Sequence, residues 1–273
     1  MSSHRITART LIAISVATVA GLIARELVRA RLVAADFSLP FSADLSYLAV
    51  PVVLLAVLFP LWRSEKAYLA SQFRTSDLNW RIALSAIAIG LLMRLAWWCQ
   101  LVFGVSFGYY QNADAIPTNV AVFHFDCPEP AVLLVGLLVM SLLVPIIEEV
   151  TNRAYYMGAL VRCGAAVSIT VSALIFMVLH RYAGWPFVFF AGVILGVQYW
   201  YTRSLWSSVI SHATLNGLIQ LDWRCLQGRW NPAPGELPLL SSGIGASVLL
   251  VLCVALLIIL LRQLAIGAHR APR

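Results

Sequence analysis

The chain has 273 residues, of which 61% are hydrophobic and only 11% charged, with a mean hydropathy of +0.85. Soluble domains carry about 25% charged residues, so these values exclude one and describe a polytopic membrane protein. The net charge of +7 then reads as a topology signal and an attraction to anionic lipid; no nucleic acid is expected as a partner, because no basic and aromatic surface is available to carry it.

Apolar windows of about 18 to 25 residues predict eight spans in chain order, at roughly 10–28, 44–62, 80–104, 130–160, 165–182, 184–202, 204–221 and 241–261. The first lacks the small-residue cleavage site of a signal peptide and is kept as a mature helix. The longest polar interval, 105–129, is too short to bury a core of its own. The expectation is an all-α polytopic membrane protein, about eight transmembrane helices in one bundle. Residues 1–129 form its N-terminal helices, 130–221 its core, and 222–273 an external loop and a last helix.

Orientation follows the positive charges, which are retained on the cytoplasmic side near span ends. With a cytoplasmic N-terminus, Arg5, Arg9, Arg63, Lys66, Arg74, Arg81, Arg153, Arg162, Arg203, Arg262, Arg270 and Arg273 lie inside. The interval 105–129, with Asp114, Asp126, Glu129 and no Lys or Arg, suits the external side; Arg25, Arg29 and Arg31 do not. The single Lys66 against eighteen arginines points to a GC-rich bacterial genome and to an inner membrane. The five cysteines, Cys99, Cys127, Cys163, Cys225 and Cys253, show neither zinc nor thioredoxin spacing. This topology puts Cys127 and Cys225 in two external loops, where a disulfide would tie the start of the fourth helix to the end of the seventh.

The fourth window ends in IIEEVTNRAYY, behind an uncharged run from Ala131 to Ile146. An ionisable side chain at membrane depth costs at least about 2.5 to 3.5 kcal/mol on insertion scales, so it usually faces a bundle interior and marks function. Glu148 and Glu149 point about 100° apart on a helix. Glu149 and Arg153 are four apart with the acid first, the favourable order for an ion pair. Glu148 is left free, with Thr151 and Asn152 on its own face. Taken alone, the motif also describes a helix end with a solvated ion pair. Of the five histidines, His4, His124 and His269 lie in tails or loops, whereas His180 closes FMVLH and His212 opens HATLN, inside two further spans. His212 and Asn216 share one helical face, and Phe176 lies one turn before His180. Glu148, His180, His212 and Asn216 together offer a base, two imidazoles and a neutral donor, a set suited to activating water against an amide.

EExxxR, FxxxH and HxxxN, in this order on successive helices, resemble the CPBP family of glutamic intramembrane proteases, which includes the type II CAAX prenyl endopeptidases and the Abi proteins. The likeness covers about residues 130–220 and extends to GVILGVQYWYTRSLWSSVISHATLNGL. It implies an intramembrane endopeptidase that needs no cofactor and no metal. In it Glu148 activates water with help from His180, His212 and Asn216 stabilise the oxyanion, and Glu149, Arg153 and Phe176 support the site. Asn152 departs from the pattern, since an aromatic residue often precedes the motif arginine. The implied partner is a membrane-anchored protein or peptide substrate in the bilayer, in bacterial protein sorting or maturation. Two other readings stay open: a zinc peptidase, although the HExxH signature does not occur, and a non-catalytic membrane partner or transporter, although the repeats common in transporters do not occur either. At 1.5 Å per residue, His212 lies roughly 13 Å beyond Arg203 and His180 roughly 22 Å along a span from 165, so straight, parallel helices would keep them apart.

Overall fold

The computed structural model describes residues 6–74, 78–107, 129–180, 185–221 and 240–270. They are 90% helical, with no strand among them. Helix α1, Ala8–Ala34, starts at Thr7, whose hydroxyl accepts the Thr10 N–H, and stops before Asp36, held at φ 63°. Pro40 in its first turn opens the short α2, Leu39–Ser46. Helix α3, Ala49–Leu58, runs into a 3-10 turn, Phe59–Leu61, and the polar α4, Trp62–Gln72. Then come α5, Trp80–Ser106, and the long α6, Pro130–Met157. The remainder are α7, Ala165–Val178, α8, Trp185–Thr202, α9, Leu205–Gln220, and α10, Leu240–Arg270.

Each predicted window becomes a helix or a pair of short helices. The expected eight crossings are not all matched: among the described residues five helices have the length and apolarity to cross a bilayer, Ala8–Ala34, Leu39–Leu61, Trp80–Gln100, Pro130–Met157 and Gly243–Ile266. Helices α7, α8 and α9 fall outside this set for a physical reason. The 14 residues of α7 rise only about 21 Å against a hydrocarbon core of about 30 Å. Gln198 in α8, and Ser207, Ser208, Ser211, His212 and Asn216 in α9, dilute the other two with polar groups.

Helix α6 is the hub, touching α1, α2, α4, α7, α8 and α9, while α5 packs on α9 and α10. Gly90 sets the α5–α9 distance, because a Cβ there would lie 2.5 Å from the Ser211 carbonyl oxygen and 2.6 Å from the Thr214 Cβ. One apolar cluster, with Ile14, Tyr155, Met157, Ile169, Tyr199 and Leu205, closes the end of the bundle where α6 finishes and α9 begins. A second, with Ile89, Met93, Leu195, Leu215 and Leu257, joins α5, α8, α9 and α10. Outward faces stay apolar, as Ile12, Val16, Val19 and Ile23 of α1 and Val248, Val251 and Leu252 of α10 illustrate. That is the expected surface for a chain solvated by lipid.

Two π stretches interrupt α6, Gly136–Leu143 and Val150–Met157, separated by one α stretch, Val144–Glu149. Isolated π turns are uncommon and often mark functional sites. At the first, the Val144 N–H bonds to the Val139 carbonyl, five residues back. In that register the Met140 carbonyl faces Pro145, which has no N–H to give. The freed acceptor is met from another helix, by Asn216.

Candidate functional site

The second π stretch follows the paired glutamates directly, and both lie where α6 meets α9 and α7. Glu149 and Arg153 are completely buried, with Arg153 Nε 3.1 Å from Glu149 Oε2. The other Glu149 oxygen, Oε1, is 3.0 Å from His212 Nδ1, and Ser208 lies beside the same carboxylate. Glu149 therefore does more than pair with Arg153. A carboxylate can only accept, so His212 carries its proton on Nδ1 and its ring is held with Nε2 outward. That Nε2 lies 3.6 Å from Glu148 Oε2, and the Glu148 side chain keeps 25% of its exposure. One glutamate is saturated by protein partners and the other is reachable.

Arg153 is fixed at both ends. Its Nη1 donates to Ser172 Oγ at 2.7 Å, and that hydroxyl donates to the Asn152 carbonyl at 2.9 Å. The guanidinium carbon stands 5.5 Å from the centre of the Phe176 ring, a cation–π distance. Asn152 turns its amide back along its own helix, Nδ2 donating to the Glu148 carbonyl at 2.8 Å.

His180 follows the end of α7. Its Nδ1 is 2.7 Å from the Phe176 carbonyl oxygen, so Nδ1 holds the proton and Nε2 presents a lone pair. The Trp185 indole N–H donates to the His180 carbonyl at 2.9 Å and pins the turn from the other side. The Phe176 ring stands between the two imidazoles, with centroids 4.6 Å from His180 and 5.8 Å, edge-on, from His212. Straight, parallel helices would keep the two histidines apart, yet both meet the Phe176 ring.

Asn216 is one turn above His212 on α9. One of its amide hydrogens is taken by the Met140 carbonyl at 2.9 Å, which leaves the second. Cys127 and Cys225 lie outside the described residues, as do His4 and His124. Cys99 and Cys253 are buried free thiols and Cys163 an exposed one. Among the described residues no three His, Cys, Asp or Glu side chains form a group that could hold a metal ion.

Ser172 and Ser208 are the partners that motif reading missed. Ser172 had a legible signal: it lies one turn before Phe176 and two before His180, on the same face of α7. Ser208 stands in the same relation to His212.

Residues 130–218 match the family model described as Type II CAAX prenyl endopeptidase Rce1-like. The match covers about a third of the chain and includes all three motifs, so this segment is similar to that family. The matched segment comprises α6 to α9 and contains every side chain of the site; α1 to α5 and α10 lie outside it. The family that the segment resembles is one of CAAX-type proteases. No curated protein matches the chain, and neither does a solved structure.

Proposed function

We propose that this protein is a member of the CPBP family and a glutamic intramembrane endopeptidase in which Glu148 is the base. The observation that carries the reading is the division between the two glutamates: Glu149 is sealed between Arg153 and His212, while Glu148 is partly open and faces His212 Nε2 at 3.6 Å.

Water gives a proton to Glu148 as its oxygen bonds to the scissile carbonyl carbon, and His180 Nε2, a lone pair, accepts from the same water. Charge on the carbonyl oxygen meets the free Asn216 N–H and, in the imidazolium form, His212 Nε2–H. When the C–N bond breaks, the proton held by Glu148 passes to the departing amine. The substrate is a membrane-anchored or C-terminal protein segment, processed during bacterial protein sorting or maturation, in an inner membrane with both termini cytoplasmic. The test is cleavage of a candidate membrane peptide by purified protein in liposomes. Undiminished turnover in Glu148→Gln would sink the mechanism.

A further inference from the structure

Helix α4 belongs to none of the spans and lies outside the CPBP match, yet it is stitched to the catalytic core. The Tyr199 hydroxyl donates to Gln72, the Trp206 indole to the Phe73 carbonyl, and Ser204 Oγ to the Arg74 carbonyl. Glu65, the acid of α4, is turned inward and takes the Thr10 hydroxyl of α1 at 3.5 Å. The contact nearest the site is made by Tyr68, whose hydroxyl donates to the Ala154 carbonyl at 2.5 Å, the residue after Arg153. Its ring meets Tyr155 edge-on, with centroids 5.8 Å apart.

Ala154 lies in the second π stretch, where the helix would otherwise have a competing register. The Gly158 N–H bonds to the carbonyls of Arg153 and Tyr155 and passes over Ala154. Three carbonyls in or beside this stretch are met by side chains: Glu148 by Asn152, Asn152 by Ser172, and Ala154 by Tyr68. Among the described residues, only the last of these comes from outside the matched segment. Room for it depends on Gly158, since a Cβ there would lie 2.8 Å from the Tyr68 hydroxyl and 2.9 Å from Ile6 Cδ1. Burial, with Tyr199, Tyr155 and Glu65 adding to it, pushes the Tyr68 hydroxyl well above the usual tyrosine range, so it remains a donor.

We propose that Tyr68 is a positioning residue for the peptidase reaction: by holding the Ala154 carbonyl it fixes the π register that sets Arg153 and Glu149 against His212. The inference rests on the glutamic-peptidase reading. Small displacements of a catalytic group cost large factors in rate, whereas substrate binding is not made by this contact. Tyr68→Phe removes only the hydroxyl.

The experiment compares kcat and KM of Tyr68→Phe, Gly158→Ala, the double variant and Glu148→Gln in liposomes, each below its own melting temperature. Tyr68→Phe is expected to lower kcat by about tenfold or more with KM within about twofold of the parent. Gly158→Ala, which displaces the same hydroxyl, should do likewise. The double variant should be no slower than Tyr68→Phe alone, because both changes break one contact. Parental kcat in Tyr68→Phe, or additive losses in the double variant, overturns the inference. If Tyr68→Phe does not fold, parental kcat in Gly158→Ala overturns it instead. Unchanged cleavage in Glu148→Gln would mark failure of the glutamic reading, not of the Tyr68 contact.

Discussion

Replacing Arg153 with Met should separate what the buried pair does for the fold from what it does for chemistry. The Arg153 and Glu149 side chains have no exposure, 3.1 Å apart. Arg153→Met keeps much of the aliphatic bulk against Phe176 but leaves the Glu149 carboxylate with no cation at its Oε2. Stranding one charge of a buried pair costs about 3 to 5 kcal/mol. The Ser172 hydroxyl, still donating to the Asn152 carbonyl at 2.9 Å, adds little. Replacing both charges by apolar groups of similar volume is often neutral or stabilising, so Glu149→Met/Arg153→Met should recover most of the loss. Activity should not recover, because His212 Nδ1 then has no acceptor and its Nε2 is no longer aimed at Glu148. Folded yield and thermal melting in detergent measure the first effect, and turnover in liposomes the second. If the single variant melts and cleaves like the parent, the pair is not held as described. If the double variant is as unstable as the single one, the cost does not come from a stranded charge.

Glu148→Gln, His180→Ala and His212→Ala should each lower turnover by about 10² to 10⁴, with Glu148→Gln melting like the parent because its carboxylate, unlike that of Glu149, is only partly buried. Asn216→Leu should lose both activity and stability: an oxyanion donor is worth about 3 to 4 kcal/mol, and an unmet Met140 carbonyl costs about 1 to 3 kcal/mol. A fall in melting temperature without a fall in kcat would exclude Asn216 from the oxyanion site. Under the proposed orientation, maleimide labelling of cells should reach Cys163 from the cytoplasmic side only, and Cys225 should react from outside, and only after reduction if it is bridged to Cys127. Labelling of Cys225 without reductant rules the bridge out.

Spacing made part of this site legible and register hid the rest. Glu149 and Arg153, or His212 and Asn216, are four apart on one helix, and such pairs follow from the helical period alone. The Glu149–His212 contact joins α6 to α9 and has no signature in spacing. Nor has the π register of α6. Its local trace is Pro145, but a proline within an apolar run equally describes a kink. Only the Val144-to-Val139 bond and the Asn216 amide on the Met140 carbonyl distinguish the two. Length and composition leave α7, α8 and α9 undecided as spans, because a hydropathy sum does not distinguish a lipid-facing apolar face from one packed in a bundle. The docking of α4 was illegible for a different reason. Its partners are backbone carbonyls, which every residue carries.

The N-terminus-inside orientation proposed above leaves Arg25, Arg29 and Arg31 on the external side, against the usual bias. Their surroundings weaken the objection. Arg25 is not a loop charge: it lies in the body of α1, its guanidinium carbon 3.7 Å from the centre of the Tyr47 ring and its Nη1 3.4 Å from Glu26. Arg29 is paired with Glu26 at 2.8 Å. Arg31 occupies the last turn of α1, where a cation complements the helix dipole. At the opposite end Arg9, Lys66, Arg74 and Arg162 are exposed, while Glu65 is drawn into the bundle. Unneutralised positive charge thus gathers at the α4 end, the end retained in the cytoplasm under the positive-inside bias. The same end is nearer the chemistry, with Glu148 about 13 Å from the end of α6 and His212 about 10 Å from the start of α9.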